Sequence, residues 1–221
     1  MASRTRHVLA IVLVAAGAGC SATPPARFYT LASTAAANEA VAVRYAVVVG
    51  PVSIPGEVDR PQFVVHVASN RVEVDEFNRW AAPLGDAIAR AVAGNLAMLL
   101  GTPNVATAPL ANFNAAYVVT IDVQRFDSTP GETALIDAVW AVRATAGGAT
   151  RSGRTIGREA VADKDFDALA AAHSRALATV SADIATAIRA LAGGDSKPAP
   201  SGAKPDGRQS AAKKSKPSPD K

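Results

Sequence analysis

Residues 116–143 read AYVVTIDVQRFDSTPGETALIDAVWAVR. In their first part, Tyr117, Val119, Ile121 and Val123 alternate with Thr120, Asp122 and Gln124. That two-residue period belongs to a strand with one buried face. Residues 134–143 (ALIDAVWAVR) read as the next strand, and the segment STPG at 128–131 supplies the residue types of a reversing turn. The stretch therefore predicts an antiparallel hairpin, and a hairpin with an apolar face needs a cover.

Two segments outside it can supply that cover. Leu84, Ile88, Ala91, Val92, Leu96, Leu99 and Leu100 recur at helical spacing. The helix is expected to open at WAAP (80–83), where Pro83 suits a first turn that lacks partners for its N–H groups anyway, and to end at GTP (101–103). A second helix is expected from about Asp167 to Ala192, with a stripe of Leu169, His173, Leu177, Val180, Ile184, Ile188 and Leu191 and a stop at Gly193 and Gly194.

The remaining periodic segments read as strands. These are 27–31, a continuous β-branched run at 41–51, 62–68 with a short partner at 71–74 across Ser69 and Asn70, and 154–161 after Gly147 and Gly148. Gly50-Pro51 and Pro55-Gly56 punctuate the chain as turns. The fold class is α+β: an α/β sandwich in which a mixed β-sheet of about 5–7 strands packs against two amphipathic helices.

The amino terminus has a different character. Arg4, Arg6 and His7 precede an uncharged, mostly apolar run at 8–18, about 11 residues against the roughly 20 that cross a bilayer as a helix. This is the pattern of an export signal. The small residues Gly17, Ala18 and Gly19 lead into Cys20, the only cysteine in the chain, so no intramolecular disulfide can form. The segment resembles a lipoprotein signal, although Gly17 stands where Leu is usual. The resemblance implies cleavage before Cys20 and covalent diacylglyceryl and N-acyl lipid on it. Ser21, which is not Asp, then favours sorting to the outer membrane.

The expected division is 1–19 signal peptide, 20–26 acylated cysteine and tether, 27–194 a single domain, and 195–221 a tail rich in Lys, Pro and Ser. The tail has too few large apolar residues to offset the entropy of ordering and is expected to be disordered. It acts as a solubilising segment or touches anionic head groups. The formal net charge of +4 on 221 residues comes largely from the two ends. Residues 20–194 hold fourteen Lys and Arg against sixteen Asp and Glu, which gives no footing for nucleic acid.

Catalytic and metal motifs are missing. His7 leaves with the signal, and His66 and His173 have no cysteine partner for zinc. No nucleophile elbow, P-loop or dinucleotide fingerprint occurs. Asp163 and Asp165 sit where carboxylates cap a helix start. The expectation is a non-enzymatic protein without a cofactor or metal.

Two segments are unusually dense in Pro, Arg and Trp: VGPVSIPGEVDRPQ at 49–62 and DEFNRWAAPL at 75–84. Asp59 beside Arg60 can fix a loop. Arg79 beside Trp80 can set a guanidinium against an indole. Arg and Trp are also common interface anchors.

In order and spacing these segments, with NLAMLL at 95–100, resemble the ABC-type transport auxiliary lipoprotein family of PqiC-like proteins. Val58 replaces a usual Leu and Ala82 a usual Glu, so any contact made by that carboxylate is absent here. The resemblance runs from FYTL at 28–31 through the last helix and makes 27–194 an auxiliary lipoprotein domain.

The resemblance implies a lipid-anchored protein on the periplasmic face of the outer membrane, as a subunit of an intermembrane phospholipid transport system. Its partners would be a tunnel-forming MCE-domain protein and ABC transporter subunits, with assembly into a homo-oligomeric ring. It nominates Pro51, Pro55, Asp59, Arg60, Pro61, Arg79, Trp80 and Pro83 as partner-binding residues; the same prolines and Trp80 can equally serve only the loop and the core. Two other readings stand beside it: an independent envelope-binding lipoprotein contacting peptidoglycan or lipopolysaccharide, and a periplasmic carrier with a lipid pocket between sheet and helices.

Overall fold

The computed structural model describes residues 23–36, 43–108 and 113–195. The expected signal, Cys20 and the expected carboxy-terminal tail lie outside the described residues. In chain order the elements are β1 (Arg27–Tyr29), β2 (Ala46–Ser53), β3 (Gln62–Ala68), β4 (Arg71–Trp80), α1 (Leu84–Leu100), β5 (Val105–Ala106), β6 (Ala115–Thr129), β7 (Thr133–Ala144), β8 (Thr150–Ala160) and α2 (Phe166–Asp195).

The strands form two mixed sheets, a five-stranded one in the order β5-β2-β6-β7-β8 and a three-stranded one in the order β1-β4-β3. β2 runs parallel to both neighbours, whereas β6, β7 and β8 are antiparallel. In the small sheet β1 is parallel and β3 antiparallel to β4. The α+β class read from the sequence holds.

The opening hairpin is the centre of the large sheet. Its inner residues Val119, Ile121, Val123, Ile136 and Val142 are buried against the stripes of the two helices. α1 covers β2, α2 covers β7 and β8, and the helices also touch each other. By length and hydropathy α2 resembles a membrane span. Its apolar side, from Leu169 through Leu177 and Ile184 to Ile188, is nevertheless buried in this core. The interval between sheet and helices is filled by close-packed aliphatic side chains.

The aromatic residues, only 5% of the sequence, gather where the small sheet meets the rest. Phe63 stacks on Trp80 with ring centroids 4.0 Å apart and meets Tyr29 and Phe166 edge-on. Trp80 in turn meets Phe126 of β6 and His173 of α2. Large planar groups supply wide contact between layers that share no hydrogen-bonded strand pair.

Several boundaries differ from expectation for definite reasons. β4 runs to Trp80, where the helix was expected to open, because Asn78, Arg79 and Trp80 pair with β1. The first helix starts instead at Leu84, with Pro83 at the N-cap and its carbonyl accepting from Ala87 N–H. The expected strand at 41–51 is β2 at 46–53, since Val43 bonds to the end of α1 through the Leu100 carbonyl. Residues 41–42 lie outside the described residues. Gly50-Pro51, expected as a turn, lies inside β2 with a cis peptide bond, at an irregularity in its pairing with β6.

α1 stops at Gly101 in the left-handed conformation, as its glycine signals. α2 continues through Gly193 to Asp195, since a helical glycine costs only about 1 kcal/mol. The two-residue β5 carries too short a pattern to read from sequence.

Candidate functional site

The loop from Ile54 to Pro61 is held by its own backbone. Val58 N–H donates to the Pro55 carbonyl at 3.1 Å and Arg60 N–H to the Val58 carbonyl at 2.8 Å. Val58 is buried and Pro55 half-buried, so these two pin the loop to the core. Pro51, Asp59, Arg60 and Pro61 are exposed. Asp59 and Arg60 form no ion pair with each other, so the backbone fixes the loop without the contact expected of them.

The second segment is joined directly to the first. Trp80 N–H donates to the Pro61 carbonyl at 2.6 Å, and Gln62 pairs with Arg79 across β3 and β4. Neighbouring residues on a strand face opposite sides, and that separates Arg79 from Trp80. The indole enters the aromatic cluster and is only 5% exposed. The guanidinium turns outward, donates from Nε to the Glu76 carbonyl at 2.9 Å and lies 3.9 Å from the Glu76 carboxylate. The expected guanidinium–indole contact is thus replaced by an Arg79–Glu76 contact.

Pro83 is exposed at the start of α1. The helix lies so close to β2 that a Cβ on Gly85 would come 3.4 Å from the Val52 carbonyl oxygen. Both motifs therefore meet in one built corner: Val58, Trp80 and Leu84 form its inside, and Pro51, Asp59, Arg60, Pro61 and Pro83 are left on its outside. The outer group consists of exposed prolines and one charge of each sign free of side-chain partners. Cys20, the expected lipidation residue, lies outside the described residues.

Sequence reading passed over two other clusters. Ser128 and His173 meet inside the protein, with His173 Nε2 2.8 Å from the hydroxyl and its ring stacked on Phe126 at 3.9 Å. Burial pushes the imidazole pKa down to about 3. The pair is closed to solvent, so it can serve packing but cannot reach a substrate.

The second cluster is a cleft of about 610 Å³ between the end of β3, the β6–β7 hairpin and the β8–α2 loop. On its wall Asp127 binds Arg125 through one carboxylate oxygen and faces His66 Nε2 at 3.6 Å through the other. No periodicity marks these residues, because strand pairing brings them together. Among the described residues, no three His, Cys, Asp or Glu side chains are grouped to hold a metal ion.

Residues 29–185 match the family described as ABC-type transport auxiliary lipoprotein component. The chain belongs to this family. Among solved structures, the auxiliary lipoprotein resembles a Xanthomonas campestris protein of the DUF330 family, with TM-score 0.63, 21% identity, and coverage of 77% of this chain and all of that one. It also resembles an uncharacterized protein with TM-score 0.61 and 18% identity, covering 75% of this chain and 99% of that one. At these identities the likeness shows the fold alone. None of the curated proteins compared matches the sequence.

Proposed function

We propose that this auxiliary lipoprotein is a non-enzymatic subunit of an intermembrane phospholipid transport system, anchored to the outer membrane through lipid on Cys20. It docks the periplasmic end of an MCE-domain tunnel there. One observation carries the reading within the family: strand pairing joins the two motifs into a single corner that turns Pro51, Asp59, Arg60, Pro61 and Pro83 outward. Asp59 and Arg60 are exposed without side-chain partners, and a docking surface uses such charges for orientation and selectivity.

The test is co-purification. The protein, extracted in mild detergent, should recover an MCE-domain protein, and the double variant Asp59→Ala/Arg60→Ala should recover far less at equal abundance. If no MCE protein is recovered from the unaltered chain, the docking role is wrong. Cys20→Ser should release the protein from outer-membrane fractions; persistence there would remove the lipid as sole anchor.

A further inference from the structure

The sheet faces turned away from the helices carry two features that the docking corner does not use. One is the cleft. Across its floor Asp127, Leu135 and Arg158 stand side by side on β6, β7 and β8. Leu135 is nearly buried, and adjacent strands are about 4.8 Å apart. Asp127 is already engaged by Arg125 and His66. Arg158 and Lys164 line the same cleft and have no hydrogen-bonded or ionic partner among the described residues. Lys164 is placed rather than dangling. A Cβ on Gly131, which has φ +71°, would fall 2.8 Å from its Cγ, so the lysine stem lies across the hairpin tip. The Val161 N–H to Glu132 carbonyl bond ties the lysine's loop to the same hairpin.

The second feature is an apolar strip leading into the cleft. His66, which lines the cleft, pairs with Val72 across β3 and β4, and Val74 lies two residues further along the same face of β4. Val72 and Val74 are exposed there. Cations without partners near two open valines match a molecule with an anionic head and an apolar chain.

We infer that this surface binds one glycerophospholipid, its phosphate between Arg158 and Lys164 and the start of its acyl chains along Val72 and Val74. Two cations lining one cleft suit a phosphodiester. Glu132 stands at the rim as a carboxylate without a cation, which favours a head group that also carries an ammonium, as phosphoethanolamine does. The assignment deepens the lipid-transport reading and rests on it for the source of the ligand.

Native mass spectrometry of the acylated full-length mature protein in a non-ionic detergent tests it. The probes are dihexanoyl-phosphatidylethanolamine, inorganic phosphate and dihexanoylglycerol. The phospholipid should bind one to one, and each of the other probes at least about tenfold more weakly, since each lacks half of the recognition. Arg158→Ala/Lys164→Ala should weaken phospholipid binding about tenfold or more. Arg143→Ala/Arg151→Ala, the same charge change at the far end of β7 and β8, should leave it unaltered.

Val72→Ser/Val74→Ser should narrow the gap between phospholipid and phosphate, and circular dichroism checks that each variant is folded. Equal phospholipid binding by the Arg158/Lys164 variant overturns the site. Phosphate binding as tightly as phospholipid overturns it in favour of a free-anion site, and equal binding of dihexanoylglycerol reduces it to an apolar patch. Co-purification with an MCE protein is read separately, so its failure with lipid binding intact sinks the transport role and leaves the site.

Discussion

The Ser128 hydroxyl lies 2.8 Å from His173 Nε2, with both side chains sealed inside the protein. His173 Nδ1 has no partner. A proton on Nδ1 would be an orphaned buried donor, whereas a proton on Nε2 can be donated to Ser128 and leaves only a bare lone pair on Nδ1. The neutral Nε2–H form is therefore the folded-state species. Burial holds its pKa at about 3 against an ordinary 6.5.

The unfolded chain thus takes up a proton below pH 6.5 that the folded chain refuses. The contribution to stability is complete above pH 6.5 and is lost as pH falls towards 3. The slope is about 1.4 kcal/mol per pH unit, roughly 2 kcal/mol between pH 7 and pH 5. Urea unfolding of wild type and His173→Phe at both values checks this, because the variant should lose most of the pH dependence. An equal fall in both proteins would show that His173 is not its source.

Asn95 Oδ1 accepts from the backbone N–H of Thr34 at 2.8 Å and of Ala35 at 2.9 Å, while its Nδ2 donates to Ser181 Oγ at 3.3 Å. One fully buried amide thereby fastens the segment after β1 to both helices. Asn95→Leu keeps the approximate volume but strands two backbone donors and should cost roughly 2 kcal/mol in denaturant unfolding. Faster proteolysis near residues 33–36 should accompany the loss. A neutral result would mean that water replaces the amide without cost.

Gly157 on β8 lies beneath α2, where an added Cβ would come 2.6 Å from the Ala176 carbonyl oxygen. A backbone atom in a helix core cannot step aside as a flexible side chain can. Gly157→Val should therefore destabilise by about 1–3 kcal/mol despite the higher strand propensity of valine. Gly56→Ala, at a turn with open space around it and no positive φ, controls for general effects of replacing glycine. Equal thermal shifts in the two variants would remove the close approach as the cause.

Periodicity made the main layers legible. The alternation at 117–123 and the stripe from Leu84 to Leu100 each name their own element and its buried face. The small sheet was less visible, because only pairing with β1 extends β4 as far as Trp80. The motif corner was legible as composition but not as geometry. Nothing local in FNRW says that Arg79 turns to Glu76 while Trp80 turns to Phe63; strand alternation says it only once β4 is known to reach Trp80. The cleft was invisible for a stronger reason: Asp127, Leu135 and Arg158 become neighbours through register across three strands.

That division within the motif corner gives the sharpest separation of folding from docking. Trp80 fills the joint between the small sheet and α2, so Trp80→Ala should cost about 3–5 kcal/mol in unfolding free energy. Trp80→Phe should recover part of that loss through stacking on Phe63. Asp59 and Arg60 are exposed, and Asp59→Ala/Arg60→Ala should change stability by less than about 0.5 kcal/mol. If the outer corner is the docking surface, that stable double variant is the one that loses its MCE partner, whereas Trp80→Phe keeps the partner in proportion to its folded fraction. Full partner recovery by the Asp59/Arg60 variant, with Trp80 variants losing partner only as they unfold, would place docking elsewhere and leave the two motifs with a folding role alone.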